Sequence, residues 1–336
     1  MAALCLLTFS SSHPLAAQGP EEAKKRADLG LVLARERKWA EAETELLKAV
    51  QLEPNAALYH AQLASIQGLE EKWDDAIRNF ERAVELEPEN LGFRREAAAV
   101  QWQQGRFAAA EANLRCVLEK NADDGGAILL LGLVNEARGN FDEASKQLNS
   151  QFQRAVADPQ LAVRLCNATM RTGPQENVAK IIEALRARAA DPAWEGTAAK
   201  CSKIAASSGN ATAAESLFSM THSNNAPRFD AGYNLATLYY RSGRPQDAEK
   251  LLQALLDAGW EDADGLRLLA FCHLQQSHPE LARSAMAVFP PLSRSPMMPE
   301  PTTAAKSIMV PRPSAASLCL SEITTRPVSV PGQRHS

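Results

Sequence analysis

"KWAEAETELLKAVQLEPN" at 38–55 and "KWDDAIRNFERAVELEPE" at 72–89 are nearly the same sentence, written twice at an interval of thirty-four residues. In both, apolar residues fall at helical spacing and a proline, Pro54 or Pro88, stops the run. Sliding the frame by thirty-four extends the match: Leu29-Gly30 aligns with Leu63-Ala64, Ala42 with Ala76, Leu46 with Phe80 and Ala49 with Ala83. A third copy carries Ala97-Ala98, Gly105, Ala110 and Leu114, and a fourth Leu131-Gly132, Gly139, Phe141, Ala144 and Leu148. A fixed period marks a building block, not chance amphipathic hairpins.

Each copy reads as two helices split by a short turn, such as "QGR" at 104–106 or "RGN" at 138–140. Gly105, Gly139, Gly173, Gly209 and Gly243 are predicted to take the left-handed conformation that ends the first helix. Gly30, Ala64, Ala98 and Gly132 let that helix press against the second, where Ala42, Ala76, Ala110 and Ala144 are the opposing small residues. Copies start near Ala23, Ala57, Leu91, Gly125, Pro159, Glu195, Phe229 and Ala263. The fifth and sixth keep little beyond the glycine and the apolar spacing; the seventh is strong again, with Leu235, Ala236, Tyr239, Ala248 and Leu252.

This pattern, a Leu-Gly pair, an Ala, an aromatic or Leu and a closing Pro, resembles the tetratricopeptide repeat over about Ala23 to Met286. The closing proline is missing from the third and fourth copies, and the family's first-helix Trp is absent throughout. The resemblance implies an all-α fold, a right-handed superhelical solenoid of antiparallel helix hairpins in about eight repeats. Such hairpins cannot bury their apolar faces alone, so stacking supplies the core.

The repeats span 21–286. Before them, 1–20 reads as a signal peptide or a disordered leader: an apolar core from Ala2 to Leu7, then small residues at Ala16 and Ala17. A signal peptide places the protein outside the cytoplasm, in a bacterial periplasm; without cleavage it is cytoplasmic. After Met286, residues 287–336 hold nine of the nineteen prolines and read as a disordered Pro/Ser-rich tail, either native or out of frame. None of the six cysteines forms a C-x-x-C pair, so neither a disulfide framework nor a zinc site is expected. The net charge of -4 without a basic block argues against nucleic acid, and no apolar run is long enough for a membrane span.

Catalytic signatures are missing: no G-x-S-x-G, H-E-x-x-H, phosphate loop or dinucleotide fingerprint. "EDADG" at 261–265 lacks the closing ligands of a calcium loop and reads as a polar connector. Asn167 and Asn210, each in "NAT", read as turn or surface residues. No cofactor or metal is expected, and what remains is a surface. In the family, the first helix of each hairpin lines a concave groove. Counting along those helices gives Leu58, Ser65, Arg95, Trp102, Leu129 and Leu133, then Asn167, Met170, Tyr233, Tyr240, Arg267 and Phe271. This mixture of rings, aliphatics and polar groups suits an extended peptide, although stacking could claim some of them for packing. The family's carboxylate clamp would fall at Ala27 and Leu31, which cannot serve it. The expectation is a non-enzymatic scaffold for a protein or peptide partner. The alternative is an accessory repeat segment of a larger or partner enzyme, such as a glycosyltransferase or peptidase.

Overall fold

Alanine, leucine, glutamate and arginine at helical spacing favour helix over strand, and the turns leave room for nothing else. The computed structural model describes residues 19–223 and 225–287, and every regular element among them is α-helical. The leader read for 1–20 and the tail read for 287–336 lie outside the described residues, apart from Gly19, Pro20 and Ala287.

The described chain falls into two compact units that divide after Ala122. The first holds α1 (Gly19–Arg35), α2 (Trp39–Leu52), α3 (Ala57–Leu69), α4 (Trp73–Leu86), α5 (Leu91–Gln103) and α6 (Phe107–Lys120). Consecutive helices pack as hairpins, and each hairpin packs on the next. One core cluster joins Ala27 and Ala34 of α1, Ala42, Leu46 and Ala49 of α2, and Leu63 and Ile66 of α3. The next joins Ala57, Ala61 and Ala64 of α3, Ile77, Phe80 and Ala83 of α4, and Phe93, Ala97 and Val100 of α5. Helix α3 therefore serves two clusters from two faces, as the stacking of repeats requires. Ala42, Ala76 and Ala110 are completely buried, so the helices approach to the limit set by a methyl group. Phe80, also fully buried, contributes about 2–3 kcal/mol by leaving water.

The second unit holds α7 (Gly125–Ala137), α8 (Phe141–Ser150), the short α9 (Phe152–Ala155), α10 (Pro159–Thr172) and α11 (Gln175–Arg186). It continues with α12 (Pro192–Ser207), α13 (Ala211–Phe218), α14 (Ala226–Arg241), α15 (Pro245–Asp257), α16 (Ala263–Gln275) and α17 (Pro279–Ala287). Helices α3, α5, α7, α10 and α16 begin at the residues read from the sequence, whereas α1, α12 and α14 begin three or four residues earlier.

Two expectations are corrected here. Cys166 of α10 and Cys201 of α12 form a disulfide, where no disulfide framework was expected. They lie thirty-five residues apart, about one repeat, so stacking of neighbouring first helices brings them together. Gly173 is not left-handed: its φ is -72°, because Pro174 forces the residue before it to be extended. It is glycine for another reason, since a Cβ there would come within 2.7 Å of the Thr169 carbonyl oxygen. Gly105, Gly139, Gly209 and Gly243 do have positive φ, and the corresponding turn positions of three other hairpins use Arg37, Glu71 and Ser277 at φ 60°, 60° and 66°.

A polar link recurs inside the hairpins. Asn79 Nδ2 donates to Gln67 Oε1 at 2.9 Å and Asn113 Nδ2 to Gln101 Oε1 at 3.0 Å in the first unit. In the second unit Asn135 Nδ2 donates to Gln147 Oε1 at 2.9 Å. Each bond ties the first helix of a hairpin to its second, one repeat apart from the last. In the second hairpin it continues outward: Gln67 Nε2 donates to Glu43 at 3.0 Å, and Asn79 Oδ1 lies 2.9 Å from His60 Nδ1.

Candidate peptide-binding face

The first helices do present the counted residues, but stacking covers many of them. In the first unit, Leu58 and Arg95 are half-buried, Ser65 is buried with its hydroxyl donated to the Ala61 carbonyl at 2.9 Å, and Trp102 is fully buried. In the second unit, Leu129, Leu133, Asn167 and Met170 are buried. Tyr233, Tyr240 and Phe271 are half-buried, and Arg267 is exposed.

Asn167 also departs from its reading as a turn or surface residue. It sits within α10, donates Nδ2 to Glu136 of α7 and accepts from Arg171 Nε at 3.0 Å. The same Glu136 carboxylate holds Arg164 at 2.6 Å, with both side chains about 95% buried. A buried ion pair survives desolvation only with supporting hydrogen bonds, and Asn167 supplies one. Its amide is thus engaged inside the unit. Asn210 behaves as expected, capping α13 by accepting from the Ala213 N–H at 3.1 Å.

The accessible residues concentrate on α14 and α16, which pack against each other. Tyr233 and Tyr240 are seven apart on α14, Arg267 and Phe271 four apart on α16, so each pair shares one side of its helix. Counting along the first helices missed the residue that organises this region. Trp260, in the connector before α16, lies 5.8 Å from the Tyr233 ring and stacks on Phe229 at 6.3 Å between centroids. The connector places it there by two devices. Gly259, at φ +90°, ends α15, and Asp262 caps α16 by accepting from the Asp264 N–H at 2.8 Å and the Gly265 N–H at 3.2 Å. Gly265 is required by the tryptophan itself, since a Cβ would meet Trp260 Cζ3 at 2.3 Å. The glycine following a lone tryptophan in "GWEDADG" is the signal that could have found it.

Burial raises the Tyr233 hydroxyl above its usual range, with the Asp264 charge adding to it, so this ring stays a neutral hydrogen-bonding group. Arg267 Nη1 holds Asp264 at 2.6 Å, and both remain solvent-exposed. Three rings, a phenol and an exchangeable ion pair offer apolar area and polar register in one place. They offer no nucleophile–base arrangement, and no group of three or more metal-ligating side chains occurs among the described residues. Nor is any helix among them long and apolar enough to cross a membrane.

Comparison with known proteins agrees with the repeat. Models of the tetratricopeptide repeat match residues 69–124 and 233–292, the second segment running from within α14 through α17. No curated protein matches the chain significantly. Among solved structures, MamA from Desulfovibrio magneticus RS-1 is 17% identical, with a TM-score of 0.45 over 50% of this chain and 97% of its own. A tetratricopeptide repeat protein from Parabacteroides merdae ATCC 43184 is 16% identical, with a TM-score of 0.40 over 91% of this chain and 100% of its own. YrrB, described as a TPR protein with an unusual peptide-binding site, is 17% identical, with a TM-score of 0.34 over 81% of this chain and 98% of its own. With the thirty-four-residue period and the helix hairpins in place, the two matched segments make this chain a tetratricopeptide-repeat protein.

Proposed function

We propose that the protein is a non-enzymatic scaffold that binds an extended peptide segment of a partner protein. The binding face is that of α14 and α16: Tyr233, Tyr240, Arg267 and Phe271, with Trp260 beside them. The observation that carries this reading is the half-buried Phe229–Tyr233–Trp260 cluster next to an exposed Arg267–Asp264 pair. Rigid rings supply contact area at little entropic cost, and exchangeable polar groups at their edge fix the register of a peptide backbone. Leu58 and Arg95 are accessible in part and would extend the same kind of surface in the first unit. The six buried positions, Ser65, Trp102, Leu129, Leu133, Asn167 and Met170, are left out of it.

Export to a bacterial periplasm is part of this reading. The Cys166–Cys201 bond supports it, since disulfides persist in oxidising compartments and are rare in the cytosol. The test is affinity capture from the native periplasm with the full chain and with Tyr233→Ala/Tyr240→Ala, both shown to be helical by circular dichroism. A partner recovered with the parent should drop about tenfold or more with the variant, two ring truncations costing ~1–2 kcal/mol each. Undiminished capture overturns the assignment of this face.

A further inference from the structure

Helix α1 buries Ala23, Ala27, Gly30 and Ala34. Its opposite side carries Lys25, Leu29 and Val32, and Glu36 follows just past its end with its N–H still bonded to the Val32 carbonyl at 3.2 Å; all four are exposed, at intervals of four, three and four residues. At 100° per residue these four fall within an arc of about 60°, a single stripe running ~16 Å along the helix. Leu29 is 44% exposed and Val32 47%, among the most exposed large apolar side chains described. Their equivalents one and two repeats on, Leu63 and Ile66 of α3, then Ala97 and Val100 of α5, are at most 2% exposed. There, α2 and α4 of the preceding hairpin cover them. The stripe on α1 is therefore built to be covered by a helix.

Its ends say which helix. The stripe is apolar at the centre, cationic at Lys25 and anionic at Glu36. In an antiparallel pairing centred between Gly30 and Leu31, Leu29 faces Val32 of a second copy and Lys25 faces that copy's Glu36. Both relations hold about the same centre, so the surface complements itself under a two-fold axis. Within its own chain Glu36 pairs with Lys38, at 2.8 Å, a pair half-exposed on both sides and able to exchange partners.

We infer that two copies of this chain associate through α1, antiparallel, with the Leu29–Val32 pairs at the centre and the Lys25–Glu36 pairs at the rim. One helix stripe per copy buries less than the ~1,200 Å² of a standard interface, so the dimer is weak and reversible, with Kd on the order of micromolar or above.

Sedimentation equilibrium of the full chain over a concentration series tests this. The parent shows a monomer–dimer equilibrium, and Leu29→Asp abolishes it. Lys25→Glu and Glu36→Lys each weaken self-association several-fold. An equimolar mixture of these two variants associates more tightly than either alone, because every cross-pair in the mixed dimer is again of opposite sign. All three positions are exposed, so thermal melting should not move and confirms that each variant is folded. A parent that stays monomeric at every concentration overturns the inference. So does association unaffected by Leu29→Asp, or a mixture no tighter than its components.

Discussion

Cys166 of α10 is bonded to Cys201 of α12, with Cα atoms 5.7 Å apart and both residues fully buried. The bond joins the first helices of two neighbouring hairpins in the stretch where the repeat is most eroded. Closing a loop of that length contributes on the order of 3–4 kcal/mol in the chain-entropy view. The cross-link and the weak repeat signal thus coincide in one segment.

Differential alkylation checks this pairing. In the native protein, Cys116, half-buried, should be the more reactive of the two free thiols described. Burial, and then the Glu249 charge, push the Cys272 thiol up to about 11, so it should stay protonated and slow to react. In the unfolded but unreduced chain, peptides containing Cys166 and Cys201 should remain unlabelled and take label only after reduction. Labelling of both without reductant means the bond is absent. Loss of the pair through Cys166→Ala/Cys201→Ala should lower the melting temperature of the second unit.

A gain in stability is expected at the turn between α3 and α4. Glu71 is exposed at φ 60°, where an L-residue pays for its Cβ and glycine does not. Four other hairpins place glycine at this position. Glu71→Gly should raise the unfolding free energy by about 0.5–1 kcal/mol, the steric relief exceeding glycine's entropic cost in the unfolded chain. Urea denaturation measures it; a fall in midpoint with unchanged slope would show that Glu71 makes a compensating interaction.

The period, the small residues at the helix crossings and most first-helix boundaries were legible because every copy must solve the same packing problem with the same residues. What escaped depends on neighbours. Gln67, Gln101 and Asn135 recur at thirty-four residues, as do Asn79, Asn113 and Gln147, yet the first three follow apolar runs and the others sit among charged or polar residues, so a single amide looks like noise in either setting. Only the folded hairpin shows that the two series face each other. Cys166 and Cys201 carried a similar signal, a spacing of about one repeat, which does not by itself identify a partner. For the candidate site, counting along a lone helix identified the accessible Tyr233, Tyr240 and Arg267, but also Trp102 and Leu133, which are fully buried. Gly173 misled for a local reason: the Pro174 beside it decides its φ, whatever the repeat prefers.

Acid should loosen one inter-hairpin turn before it unfolds the chain. The Glu195 carboxylate, on α12, accepts the His222 N–H at 2.7 Å, the Ser223 N–H, and the Ser223 hydroxyl at 2.7 Å, fixing the approach to α14. The Ser223 N–H first, then its hydroxyl and the His222 N–H, hold this carboxyl below the usual carboxylate range. A depressed pKa stabilises the folded state above the unfolded value, about 4.3, and that contribution is lost as pH falls through the folded value. The turn should therefore be tethered at neutral pH and released as pH falls below the ordinary carboxylate range, at a cost of roughly 1 kcal/mol because solvent screens a half-exposed group. Amide exchange protection at His222 and Ser223 follows this directly. Protection should fall across that window in the parent, whereas Glu195→Gln should start lower and show no such step. Equal protection in the two proteins at neutral pH would assign the order of this turn to other contacts, because the carboxylate is the feature the substitution removes.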